Sequence, residues 1–165
     1  MNRMIYGLVA LLLILGCRAS EDKEQSIIDR VRVYEPEPIT LERGKEGEGF
    51  ILLDIKKGYH VQANPAPLPY LIPTQFEVDD LAGAFQAGYF EYPEGIPYAL
   101  EGSSDTLLVY EGDVSIRYSL IANSTVQTGE YEVTGTLTYQ TCDHRMCFPP
   151  VKERVTVKIE VRPSI

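Results

Sequence analysis

Two segments near the C-terminus constrain the fold more than anything else in the chain. Tyr131, Val133, Leu137 and Tyr139 alternate with Glu132, Thr134, Thr136, Thr138 and Gln140. Val155, Val157, Ile159 and Val161 alternate in the same way with Arg154, Thr156, Lys158 and Glu160. A period of two places one set of side chains in a core and the other in water, which predicts strands of an antiparallel sheet packed on a second sheet. Upstream, strand signals recur at Phe50 to Ile55, Tyr59 to Gln62, Gln75 to Val78, Ala84 to Phe90, Leu107 to Tyr110 and Val114 to Ile121. Turn residues separate them, and no run has helix-length periodicity. The stretch from Asn64 to Pro73 carries four prolines and reads as an extended loop or edge segment. The expectation is an all-β chain, an immunoglobulin-like antiparallel β-sandwich.

Composition narrows the function. A formal net charge of −9 on 165 residues repels phosphate, so nucleic acid is excluded as a partner. Membrane contact through a basic patch is disfavoured for the same reason. With 44% apolar residues the chain can bury a core of single-domain size. Only three Cys and two His are present, so any Cys/His chemistry uses very few residues.

The N-terminus reads as a processing signal. Arg3 precedes an apolar run from Ile5 to Leu15, too short for a bilayer span of about 20 residues. The following Ile14-Leu15-Gly16-Cys17 resembles a bacterial lipobox, in which the cysteine is acylated and becomes the new N-terminus. The resulting division is a lipoprotein signal peptide at 1–16, a polar tether at 17–26 and a β-sandwich domain at 27–165. Arg18 does not resemble an inner-membrane retention residue, which points to the outer membrane in a cell that has one. Lipidation of Cys17 leaves two cysteines for chemistry.

Those two lie between the alternating segments, in Tyr139-Gln140-Thr141-Cys142-Asp143-His144-Arg145-Met146-Cys147-Phe148-Pro149-Pro150. If the strands form a hairpin, Asp143 to Met146 is a four-residue loop with Cys142 and Cys147 opposed at its base. Opposed residues have Cα atoms about 4.5–5.5 Å apart, within reach of a disulfide. Closing so short a loop contributes only about 2 kcal/mol in the chain-entropy model, so the bond is poorly placed as a staple and well placed as a switch. His144 and Arg145 near either sulfur would favour thiolate, whereas Asp143 opposes it. Pro149-Pro150 removes two backbone donors and ends regular pairing.

The segment YQTCDHRMCFPP resembles the active-site hairpin of the N-terminal periplasmic domain of the DsbD thiol:disulfide interchange family. The resemblance continues upstream through Gly58-Tyr59-His60-Val61, Tyr92-Pro93-Glu94-Gly95 and Val109-Tyr110-Glu111-Gly112. It implies an immunoglobulin-like sandwich whose cysteine pair relays electrons between thioredoxin-like proteins, with Cys147 forming the mixed disulfide and Cys142 resolving it. In the family a cap loop with an aromatic residue shields the disulfide. The matching stretch, Pro93 to Gly102, offers Tyr98 or Leu100. No electron-carrying membrane domain follows in the sequence, so donor and acceptor are expected to be separate proteins. The resemblance implies no cofactor, and a monomer held to the membrane by its lipid alone.

Two rival readings stay open. Cys142, His144, Met146 and Cys147, with His60, supply soft ligands that suit Cu(I), although a structural zinc site needs four ligands at other spacings. Met146 is expected to pack on the sandwich rim instead. Alternatively the disulfide is inert, within a lipid-anchored interaction module. Elsewhere, Gly44 to Gly49 is Gly-rich but acidic and is read as a turn, not a phosphate loop.

Overall fold

A computed structural model describes residues 30–79, 83–102 and 104–164. The segments expected to be a signal peptide and a tether, with Cys17, lie outside the described residues. Twelve strands follow in order among the described residues: β1(Val31–Val33), β2(Ile39–Glu42), β3(Glu46–Ile55), β4(His60–Gln62), β5(Gln75–Val78), β6(Phe85–Glu91), β7(Ile96–Ala99), β8(Thr106–Tyr110), β9(Gly112–Ala122), β10(Gly129–Tyr139), β11(Thr141–Cys142) and β12(Val151–Arg162). They form three four-stranded sheets, ordered β1-β3-β9-β6, β2-β12-β10-β5 and β11-β4-β8-β7.

The first two sheets share one apolar core. Alternation turns Ile51, Leu53 and Ile55 of β3 and Val114, Ile116, Tyr118 and Leu120 of β9 inward. They meet Val133, Leu137 and Tyr139 of β10 and Val155, Val157, Ile159 and Val161 of β12. Each such side chain contributes about 1.5–3 kcal/mol on burial, which accounts for the length of the alternating segments. The β10–β12 ladder runs unbroken from Gly129↔Val161 to Tyr139↔Val151.

The architecture departs from the expected antiparallel two-sheet pattern in two ways. First, β2 runs parallel to β12, with Ile39 opposite Ile159. This is possible because β2 is an edge strand whose chain crosses immediately into the other sheet to begin β3. Second, a small third sheet is built from short strands, of which β7 and β11 left no separate signal in the alternation.

The Gly-rich segment is a turn only at its start. Gly44 adopts φ 72°, which favours glycine, and β3 already begins at Glu46. The later glycines serve packing: a Cβ on Gly49 would collide with the hydroxyl and ring of Tyr118, and one on Gly47 with Leu41.

Beyond Tyr139 the chain changes sheets. Gln140 is the pivot, its side chain accepting from the Ile72 amide (3.2 Å) and donating to the Phe148 carbonyl (3.2 Å). Thr141 and Cys142 then pair with Val61 and His60. The cysteine hairpin therefore belongs to the edge of the third sheet, not to the ends of the long ladder.

Candidate functional site: a disulfide on the edge of the small sheet

Cys142 and Cys147 face each other in an antiparallel bridge and are joined by a disulfide with an S–S distance of 1.98 Å. The Asp143 amide donates to the Met146 carbonyl (2.9 Å) and the Phe148 amide to the Thr141 carbonyl (2.8 Å). Asp143 Oδ1 accepts from the amides of Arg145 and Met146, each at 2.8 Å. Those two donors hold the Asp143 carboxyl below its ordinary value. A short polar loop is thus closed by its own first residue.

The two sulfurs differ in access. Cys142 is 0% exposed, whereas Cys147 is half-buried. Because Cys142 is opposite His60, their side chains share a face of the sheet, and Gln62 joins them two residues on. The Gln62 carboxamide donates to Cys142 Sγ at 3.2 Å and to Cys147 Sγ at 3.6 Å. Its backbone is fixed independently: Gln62 O accepts from Thr74 N (3.0 Å) and Thr74 Oγ1 (2.7 Å). Gln62 Oε1 and His60 Nε2 are buried with no hydrogen-bond partner among the described residues.

Three segments close over this face. The His60 ring lies 4.0 Å from that of Tyr98, centroid to centroid. Burial pushes the His60 pKa down, against the opposing charge of Asp143. From the Pro-rich loop, Leu71 packs with Leu107 and Val109 in a second small core, flanked by Ala66, Leu68, Tyr98 and Leu100. After β7, the Glu101 amide donates to the His144 carbonyl at 3.0 Å, and its carboxylate pairs with Arg145 at 3.7 Å. On the far side of the hairpin, the Arg30 guanidinium sits 3.8 Å above the Phe148 ring.

A family model for the N-terminal region of the thiol:disulfide interchange protein DsbD matches residues 30–159 of this chain. The chain belongs to the DsbD N-terminal family. Among solved structures it is similar to the N-terminal periplasmic domain of ScsB from Proteus mirabilis, with 12% identity and a TM-score of 0.55. That alignment covers 78% of this chain and 46% of the other, so the chain spans less than half of that structure. The seventh ScaB type I cohesin from Pseudobacteroides cellulosolvens aligns at 11% identity and TM-score 0.46, over 82% of this chain and 94% of the other. No curated protein matches.

With the DsbD N-terminal family assigned, the thiol:disulfide module and its Cys142–Cys147 bond are those the sequence pointed to. The other residues singled out in the sequence separate. Tyr98 lies over His60, while Leu100 packs into the small core. His144 and Arg145 sit at the exposed tip, where Arg145 faces Glu101. Met146, expected on the rim, is instead 55% exposed, because its backbone is held in the tip by Asp143 and its side chain has no core to enter. Among the described residues no group of three or more His, Cys, Asp or Glu side chains converges on a metal position. Gln62 was missed. The only available signal was its place two residues after His60, in a strand too short to reveal an alternation.

Proposed function

We propose that this domain is an extracytoplasmic relay that exchanges its disulfide with thioredoxin-like proteins, Cys147 being the sulfur attacked and Cys142 the sulfur released. The observation that carries this reading is the asymmetry of the pair: Cys142 is fully buried, and Cys147 is only partly so at a sheet edge. An incoming thiolate can reach only a sulfur that presents a face to solvent. The bond also closes too short a loop to contribute much to the fold. The cover is a cap formed by Tyr98 and by Glu101 against the hairpin tip, which a partner must displace or slip past. The two larger sheets are read as an immunoglobulin-like sandwich carrying the site at one end. The family's periplasmic setting supports an extracytoplasmic location, and with Cys17 read as the acylated residue and 17–26 as a tether the proposal extends to a monomeric lipoprotein on the outer membrane of a diderm.

The test is trapping. In Cys142→Ser, Cys147 should stay linked to a thioredoxin-like protein on a non-reducing gel and be released by reductant. Cys147→Ser should capture far less. If neither variant captures a partner and reduction unfolds the domain, the bond is structural and the relay reading is wrong.

A further inference from the structure

Gln62 is an expensive residue where it stands. It is 0% exposed, preceded in β4 by the buried Val61 and followed just beyond it by the buried Ala63, and its Oε1 has no partner among the described residues. A buried polar atom left unsatisfied forfeits its hydration with nothing in return, and an apolar side chain of similar volume would avoid that. Its Nε2, by contrast, reaches both sulfurs. The orientation follows from chemistry: a disulfide sulfur has no hydrogen to give, so it can only accept, and the carboxamide turns its N–H toward it.

We propose that Gln62 is a catalytic residue of the exchange: its carboxamide holds Cys142 Sγ as a thiolate when the disulfide opens. This rests on the exchange reading above. The thiolate of a partner dithiol attacks Cys147 Sγ and forms a mixed disulfide. The Cys142–Cys147 bond breaks, and its electron pair goes to Cys142 Sγ. That charge appears where water has been excluded, and a charge so placed is costly without a donor. Gln62 Nε2–H is that donor, already in place before the bond breaks. When the partner's second thiolate attacks the mixed disulfide, Cys147 leaves and the partner becomes the disulfide. The partner dithiol supplies two electrons, and its two protons balance those taken up by Cys142 and Cys147. Once Cys142 is a thiol it has a hydrogen to donate, and Gln62 Oε1, idle in the oxidised state, can accept it after a flip of the amide. The unsatisfied oxygen is thereby explained as the acceptor for the other redox state.

Two measurements test this without any protein partner. In Cys147→Ser, the Cys142 thiol is titrated by the ultraviolet absorbance of its thiolate, with Gln62 present and with Gln62→Leu. In the intact pair, reduction by dithiothreitol is timed by thiol alkylation and mass spectrometry. Loss of one hydrogen bond to a charged sulfur should raise the Cys142 pKa by about one unit and slow reduction about tenfold. Gln62→Met keeps the volume and should behave like Leu. Gln62→Glu keeps the shape; once its carboxyl is ionised it loses the donor and adds a like charge, and should raise the Cys142 pKa at least as much. Folding is guarded because Thr74 holds the backbone of Gln62, not its side chain. Titrations and rates within twofold of the parent in all three variants would overturn the assignment. Should the shifts appear while no thioredoxin-like protein reduces the domain, the relay reading falls and the role of the carboxamide at sulfur stands. Brisk exchange with such a protein, together with unmoved titrations, would remove Gln62 alone.

Discussion

The rings of Tyr98 and His60 meet at a tilt, centroids 4.0 Å apart, although they sit on strands that do not pair with each other, β8 lying between them. The contact helps bury an imidazole beside the disulfide, and burial lowers its pKa. A histidine whose folded pKa lies below its unfolded value of about 6.5 stabilises the fold only while neutral. Its contribution is complete above the unfolded value and is lost as pH falls through the lowered folded one. Between about pH 7.5 and about pH 5, urea stability should therefore fall more steeply in the parent than in His60→Phe, which keeps a ring against Tyr98. Glu153, whose pKa burial raises, works in the opposite direction, and comparing the two proteins cancels it. Parallel pH profiles would show that His60 does not titrate against the fold.

The loop tip has its own dependence on one carboxylate. Asp143 Oδ1 accepts from two amides, so Asp143→Ala should cost about 1 kcal/mol and speed hydrogen exchange at Arg145 and Met146. Asp143→Asn keeps an acceptor and should recover most of the loss. Because the folded carboxyl is held below its unfolded value, this support persists through mild acid and fades only as pH drops through the lowered range. Unchanged exchange at both amides in the Ala variant would refute the assignment.

Reduction should leave the sheets intact. The loop closed by the disulfide is worth about 2 kcal/mol, and the main core contains neither cysteine. The reduced domain should keep its far-ultraviolet β signal and melt only about 3–4 °C lower per kcal/mol lost. Loss of cooperative melting on reduction would contradict this.

Deep in the main core, the Tyr118 hydroxyl is buried without a partner among the described residues, and burial raises its pKa to about 12. Tyr118→Phe should be neutral or stabilising by up to about 1 kcal/mol. Gly49→Ala should cost about 1–3 kcal/mol, since its Cβ would strike that hydroxyl and ring. The two substitutions should couple, with Gly49→Ala less damaging once the hydroxyl is gone. Additive chemical-denaturation energies would argue that the ring or the strand, not the Tyr118 hydroxyl, sets the cost.

The legible parts of this molecule were those with long periodicity or a dense motif. The β10 and β12 alternation was readable because each strand commits a full face to the core, and the two cysteines because their spacing matched a hairpin. Three-residue strands such as β4 carry no period, so the partnership of His60, Gln62 and Cys142 appears only once tertiary pairing brings them together. The parallel β2 was equally silent: Ile39 and Leu41 are the whole of its inward face. The third sheet leaves no joint signal in the sequence because its members lie scattered along the chain from His60 to Cys142.

The rungs of the β10–β12 ladder stop at Tyr139↔Val151 and resume nowhere in the hairpin, which docks on a different sheet. Residues 140–150 are thus an excursion whose two ends are clamped in fixed register. A residue inserted at the tip, or a tip exchanged wholesale, shifts no inward side chain of either long strand. The hairpin's length and sequence can therefore be redesigned without re-registering the scaffold that carries it.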